Sequence, residues 1–546
     1  MATFTISGKL IDLFQRRTYP AEVVVANGIV ASVTETAAAP DQYLLPGFID
    51  AHIHIESSML APTAFAQVAV THGAIATVSD PHEIANVCGI QGVNYMIENS
   101  RLSPFHFYFG APSCVPATSF ETAGATLDAT AVEQLLQSPD IWYLSEMMNY
   151  PGVLHQDPEV IAKIQAAARA GKPVDGHAPG MRGAEAAAYA AAGISTDHEC
   201  FTLPEALDKI NVGMHILIRE GSAAKNFEAL AELITLHPDK VMFCSDDKHP
   251  DELVLHHIND LVKRSLAKGH NLYDVLRAAS VNPVLHYHLP VGLLRPGDPA
   301  DFIVVNNLAD FDVLQTYLNG ALVAQQGASL LPDVTITPIN QFLAEKRAPA
   351  DFRVPARSST PVIRVIEALE GQLVTNCLQL PAKVTDGNIV SDPDNDILKI
   401  AVINRYVPSA PVAIAFIRNF GLRHGALAST VGHDCHNIIA VGVDDGSICA
   451  AVNALIDCKG GISVANNVND VACMPLPLAG LMSIDNGYKT AEAYTRLNEM
   501  AKALATPLHA PFMTLSFMAL LVIPSLKLSD KGLFDGRKFE FTSVEV

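Results

Sequence analysis

The sequence predicts an α/β protein centred on a (β/α)8 TIM-like barrel, with a small β-sandwich-like domain made from both flanks and a C-terminal α/β domain. Three observations carry this expectation. Eight short β-rich runs alternate with helix-like stretches between residues 46 and 290, β-rich segments bracket that middle, and the pattern changes again after Pro338. Alternating strands and helices specify a parallel sheet covered by helices, and eight units are enough to close it. An open doubly wound sheet is the competing arrangement on pattern alone.

The first flank, 1–45, reads as short strands, "FTISGKLID" and "AEVVVANGIVASV", the second holding Asn27-Gly28 between apolar runs. That dipeptide marks a hairpin. "GLLRPGDPADFIVVNN" and "TYLNGALVAQQG", with Asn319-Gly320, repeat the habit, so 1–45 and 291–335 are assigned to one small β-domain. The barrel is assigned to 46–290, with strands in "GFIDAHIHIE", "AIATVSD", "FHFYFGAPS", "IWYLSEM", "KPVDGH", "GISTDHE", "GMHILIRE" and "KVMFCSDD". Stretches such as "DPEVIAKIQAAARAG" supply the helices between them. The charged, proline-rich "AEKRAPADFRVPARSSTP" marks a linker, 336–358, and strand-like runs such as "DILKIAVINRY" and "VAIAFIRNFGL" open a domain at 359–546.

Composition narrows the function classes. With 546 residues, 49% of them hydrophobic and 17% charged, the chain can pack two or three cores. A formal net charge of −21 argues against a nucleic-acid polymer as partner, although not against a small base as substrate. Nine cysteines, odd in number and without a CxxC pair, suit reduced thiols in a cytoplasmic protein. The N-terminus lacks a basic region followed by an apolar core, so no signal peptide is expected. The most apolar segment, "FMTLSFMALLVI" (Phe512 to Ile523), falls short of the roughly 20 residues a membrane span needs. A buried strand is expected there, and no membrane partner.

Polar groups collect at the ends of the expected strands: His52, His54 and Glu56 on the first; Asp80, His82 and Glu83 on the second; Glu146 on the fourth; His177 on the fifth; His198 and Glu199 on the sixth; Asp246 and Asp247 on the eighth. In a barrel all of these lie at the C-terminal face, where active sites of this architecture sit. Residues two apart on a strand share a face, so His52 and His54 can reach one metal ion. The expected metal ligands are His52, His54, Glu146, His177, His198 and Asp246. Imidazoles and carboxylates without thiolate describe a catalytic centre with an open position for water. Six ligands exceed what one ion takes, so two ions are expected, with Glu146 suited to bridge them. Such ions lower the pKa of bound water toward neutrality and polarise the bond under attack. Asp246, which ends the apolar run "VMFCS", is expected to bind metal and to shuttle a proton. Alternation sends Asp247 the other way, toward substrate or loop.

Other positions stay open between two readings. Glu56 either meets substrate or sits in a salt-bridged loop. His82 and Glu83 either serve the site or cap a helix that starts after Asp80-Pro81. In "GHDCHN", His433, Asp434 and His436 either bind a further ion, fold over the barrel mouth, or form a hydrogen-bonded turn.

"LPGFIDAHIH", the strand-end histidines, "SDD" and the returning "VGLLRPGDPADFIVV" resemble the amidohydrolase superfamily of metal hydrolases and deaminases. Many members bridge two metals with a carboxylated lysine on strand four, where this chain has Glu146 in "SEMMNYPGV". With "HIHIESSML", "DPHEIANV", "DGHAPG", "TDHE", "SDDKHP", "RHGALASTVGHDCHNIIAVG" and "MPLPLAGLMS", the chain is similar to the bacterial adenine deaminase family over nearly its whole length. The resemblance implies hydrolysis of adenine to hypoxanthine and ammonia in purine salvage, with Mn2+ or Fe2+, two ions per site, as cofactor. A homo-oligomer, a dimer, is expected. The rival readings are a cyclic-amide hydrolase of the same superfamily, a non-catalytic metal-binding or regulatory barrel, and a purine transport or sensing protein.

Overall fold

The computed structural model describes residues 3–222 and 224–546. The eight runs singled out above form eight parallel strands: Phe48–Ile53, Ala74–Ser79, His106–Ala111, Ile141–Met147, Val174–Gly176, Thr196–Asp197, His215–Arg219 and Val241–Cys244. The first five pair in chain order, and so do the last three. Two parallel bridges, Val174 with Ile194 and Ile53 with Asp246, join the two sets at their seams and close a (β/α)8 barrel. Strands such as Ala74–Ser79 are buried along their whole length, because helices cover the outside and side chains fill the inside.

The surrounding helices follow from local chemistry. In Pro158–Arg169, Asp157 caps the first turn by accepting from the amides of Glu159 and Val160 at 2.9 and 3.2 Å. Pro158 occupies the position where a missing N–H costs nothing. Val160, Ile164 and Ala167 then face the barrel, giving the helix its buried stripe.

Both flanks build one eight-stranded sheet, in the order 328–329, 321–325, 313–318, 302–305, 43–46, 4–12, 17–26, 29–35. Asn27 and Gly28, at φ 55° and 81°, make the turn between the last two strands, the left-handed pair a tight hairpin requires. The sheet curls on itself, so that Phe4 stacks on Tyr317 with ring centroids 5.4 Å apart, although two strands separate theirs in the order.

The C-terminal part holds a second eight-stranded sheet, ordered 375–381, 362–368, 413–418, 398–403, 438–442, 426–429, 461–467, 470–475. Helix Asp445–Cys458, capped by Asp444, lays Ile448, Ala451, Val452 and Leu455 on it. Helix Gly487–Ala503 packs against the barrel helix Pro62–Ala69, and Gly487 permits the approach: a Cβ there would lie 2.3 Å from Val68 Cγ2. The segment 336–358 carries only a short 3-10 turn and a two-residue strand. It is stitched to this sheet, Leu343 donating to the Arg405 carbonyl at 2.7 Å.

One expectation is corrected here. Phe512 to Ile523 is no strand: Pro511–Phe517 is a helix, followed by irregular chain up to the strand Leu526–Ser529. An unbroken apolar run has no period from which helix and strand can be told apart, and Pro511 sits at the helix N-terminus. No helix among the described residues is long and apolar enough to cross a membrane.

Candidate metal centre

The seam that closes the barrel also assembles the site. Asp246 N donates to His52 O at 2.9 Å and His54 N donates to Asp246 O at 3.3 Å, so the His-x-His run and the end of strand eight are backbone neighbours. Asp246 adopts a left-handed conformation, φ 55°, which aspartate tolerates better than most residues. The kink gives two consecutive acids different partners. The Asp246 carboxylate lies 3.2 Å from His54 Nε2 and 3.6 Å from His52 Nε2, whereas Asp247 accepts from Ser57 Oγ at 2.5 Å.

Glu146 is the hub. Its Oε1 lies 3.2 Å from His54 Nε2, and its Oε2 lies 2.6 Å from His177 Nδ1 and 3.2 Å from His198 Nε2. The His52 ring stacks on His198 with centroids 4.1 Å apart, and neither His52 ring nitrogen has a hydrogen-bond partner although the residue is fully buried. An orphaned buried imidazole costs about 1–3 kcal/mol unless something satisfies it. In each of three overlapping sets, His52–His54–Asp246, His52–Glu146–His198 and His177–His198–Glu199, the donor atoms lie within 4.8 Å of one another. This is a nitrogen and oxygen donor set without thiolate, and it fits a divalent cation.

Electrostatics hold the two carboxylates and His52 in ligand form, while the surrounding carboxylates, against the effect of burial, push His54, His177 and His198 up from their ordinary values. Burial alone would raise the Glu146 and Asp246 carboxyls. The histidines around Glu146, and Arg219 with His54 beside Asp246, outweigh it and hold both well below the usual carboxylate range. Burial, helped by His198 and His54, pushes His52 well down, keeping its imidazole neutral. His54 Nδ1 faces the Asp80 carbonyl at 3.2 Å, which leaves Nε2 turned to the centre. Asp80 also holds His82, accepting from its backbone amide at 3.1 Å and meeting Nδ1 at 3.0 Å.

Arg219, the last residue of strand seven, was not singled out from the sequence. It is fully buried, with Nη1 2.6 Å from Asp246 Oδ2 and Nη2 3.2 Å from Glu199 Oε2. The signal was a cation ending the apolar run Ile216–Ile218, the same strand-end position used by the other site residues.

The C-terminal part supplies the roof. Glu83 meets His433 Nδ1 at 2.5 Å and also contacts His436 Nε2. His433 stacks on Phe517, centroids 4.4 Å apart, and its backbone amide donates to Ser516 O at 3.1 Å. Asp434 Oδ1 lies 4.0 Å from His82 Nε2. Under this roof lies a cavity with His54, Glu146, His177, His198, Asp246 and Glu83 on its polar side and Leu373, Phe517, Leu520 and Ile523 on its apolar side. Asp247, His82, His433 and Asp434 also reach it; His436 stands behind Glu83. Glu56 does not line it. Its Oε1 accepts from the Ile84 amide at 3.2 Å, in the first turn of helix His82–Ser100, and burial raises its carboxyl to about 7.

A (β/α)8 barrel with imidazoles and carboxylates converging at its mouth defines a metal-dependent hydrolase. Residues 43–323 match the family model described as "Amidohydrolase family", and residues 372–540 match "Adenine deaminase C-terminal domain". The chain is 55% identical to an adenine deaminase of Salinibacter ruber over 99% of this chain and 98% of that protein. It is 51% identical to one of Methanosarcina mazei, over 98% of each chain. Among solved structures it is similar to a β-aspartyl dipeptidase from Fervidobacterium islandicum, 15% identical, covering 60% of this chain and 98% of that one, with a TM-score of 0.45. The chain therefore belongs to the amidohydrolase family and, within it, to the adenine deaminases. Membership implies a divalent metal ion.

Proposed function

We infer that the protein hydrolyses adenine to hypoxanthine and ammonia. The observation that carries the reading is the 55% identity to an adenine deaminase across 99% of the chain, barrel and C-terminal part alike, because the cavity takes its floor from one and its roof from the other. His52, His54, Glu146, His177, His198 and Asp246 are the residues that would hold the cation, Mn2+ or Fe2+, and they offer enough donors for two ions. A divalent ion there lowers the pKa of water and polarises the carbon–nitrogen bond of the ring.

The chain's own groups do the rest. Asp246, ionised and oriented by Arg219, accepts a proton from the attacking water and returns it to the departing amine. Glu83 with His433, and Asp247, supply polar edges for the purine's N–H groups and ring nitrogens. Leu373, Phe517, Leu520 and Ile523 cover the ring faces and exclude bulk water, which strengthens every charge interaction below them. The substrates are adenine and water, with no nucleic-acid polymer, and the working assembly is a homodimer.

Purified protein assayed for ammonia from adenine tests the reading. Activity is expected to fall on chelation and return with Mn2+, and Glu146→Gln should lose bound metal together with at least about 10²-fold in kcat. Ring opening of a dihydropyrimidine or hydantoin, with no ammonia from adenine, would overturn it in favour of a cyclic-amide hydrolase.

A further inference from the structure

Away from the catalytic cavity, two thiols face each other between a helix end and the edge strand of the C-terminal sheet on which that helix packs. Cys458 ends the helix Asp445–Cys458, and Cys473 lies in the edge strand Asp470–Pro475. Their Sγ atoms are 3.1 Å apart, and both residues are half-buried, so small solutes reach them. The contact between the two sulfurs, in which either can donate, lowers the Cys458 thiol from its ordinary value and raises Cys473. Cys458 is thereby the readier thiolate of the two, and the thiolate is the form that reacts.

We propose that Cys458 and Cys473 form an oxidation site that closes to an intramolecular disulfide on exposure to peroxides. The Cys458 thiolate attacks the O–O bond of hydrogen peroxide, forming a sulfenic acid and releasing hydroxide, which takes up the proton that the thiol gave. The Cys473 sulfur then attacks the sulfenic sulfur, the S–S bond forms, and the sulfenic hydroxyl leaves as water with the Cys473 proton. Two thiols lose two hydrogens in all, and one peroxide becomes two waters. Closing the gap to the roughly 2 Å of an S–S bond takes about 1 Å of movement, within reach of an edge strand and a helix end.

The position of the pair gives closure a structural consequence. Lys459 to Gly461 connect Cys458 to the strand Gly461–Asn467, and Gly461 exchanges two hydrogen bonds with Thr430, N to Oγ1 at 2.8 Å and O from the Thr430 amide at 2.9 Å. Thr430 leads directly into the Gly432–His436 segment that roofs the catalytic cavity. A bond at Cys458 therefore pins the turn on which that roof is anchored.

The test treats the whole protein with stoichiometric hydrogen peroxide, alkylates the remaining thiols, and maps peptides without reduction. The expected result is a loss of two titratable thiols, a linked Cys458–Cys473 peptide, reversal by dithiothreitol, and no such loss in Cys458→Ser or Cys473→Ser. Should Cys458 and Cys473 both remain alkylatable while thiol loss falls on the exposed Cys377 alone, the proposal is overturned. The mapping of the unaltered protein decides the matter even where a serine variant folds poorly.

Discussion

Arg219 sets what the acids around it can do. Its guanidinium lies between Asp246 and Glu199 with almost no water near any of the three, and burial of all three is tolerable only because opposite charges meet. Removing one partner of such a group strands the others and typically costs about 3–5 kcal/mol. Arg219→Met should accordingly lower the thermal midpoint by several degrees and reduce bound metal, since Asp246 loses the group that orients it. Thermal unfolding with metal analysis checks this, and unchanged values for both would show that Asp246 is held by the histidines alone. The strand ends that carry a histidine or an acid were legible in the sequence as polar residues closing apolar runs. Arg219 escaped because a cation is not a metal ligand, although it occupies the same kind of position. The different partners of Asp246 and Asp247 follow from the left-handed kink at Asp246, not from strand alternation, because the strand has already ended at Cys244.

Elements from two distant parts of the chain meet over the cavity, and Lys527 fastens them. Its ammonium is fully buried without a carboxylate, donating to the carbonyls of Leu373 at 2.7 Å and Phe517 at 2.8 Å, both residues of the cavity's apolar side. Burial pushes its pKa down to about 7 from the ordinary 10.5. Between those values the unfolded chain holds a proton that the folded chain lacks, so stability rises with pH across the window and falls as pH drops toward 7, by up to about 1.4 kcal/mol per unit. Lys527→Met removes that dependence. The midpoint of the variant relative to the parent should fall steadily as pH climbs from 7 toward 10.5, and a constant difference would exclude a buried titrating amine. The KM for adenine should rise several-fold as the roof loosens. The eight barrel strands were legible as short apolar runs ending in polar residues, but this roof was not. Phe512 to Ile523 is apolar throughout, so neither its helix nor its place above the site is written in a period.

The molecule works as one body because the barrel and the C-terminal sheet share a continuous apolar core, and the catalytic cavity lies where they meet. Composition and strand pattern revealed the parts; their docking depends on side chains hundreds of positions apart, which a linear pattern does not pair. His249, following the end of strand eight, and Tyr494, in helix Gly487–Ala503, are such a pair, Nδ1 to Oη at 2.6 Å. Burial, with His433 adding to it, pushes His249 down to about 3, so its imidazole is neutral and accepts from the tyrosine hydroxyl. The unfolded chain takes up a proton near the ordinary 6.5. The stability this contact brings is therefore complete above that pH and drains away as pH falls toward 3, again by up to about 1.4 kcal/mol per unit. Asp251 and Glu252 lie close enough to influence Tyr494, so the readout must be a difference between variants and not the acid response of the protein as a whole. His249→Gln keeps an acceptor for the hydroxyl but cannot titrate. It should unfold at a lower temperature than the parent near neutral pH and lose less on acidification to about pH 5, so that the two midpoints converge. Parallel curves over that range would show that His249 is not the acid-sensitive joint between barrel and roof.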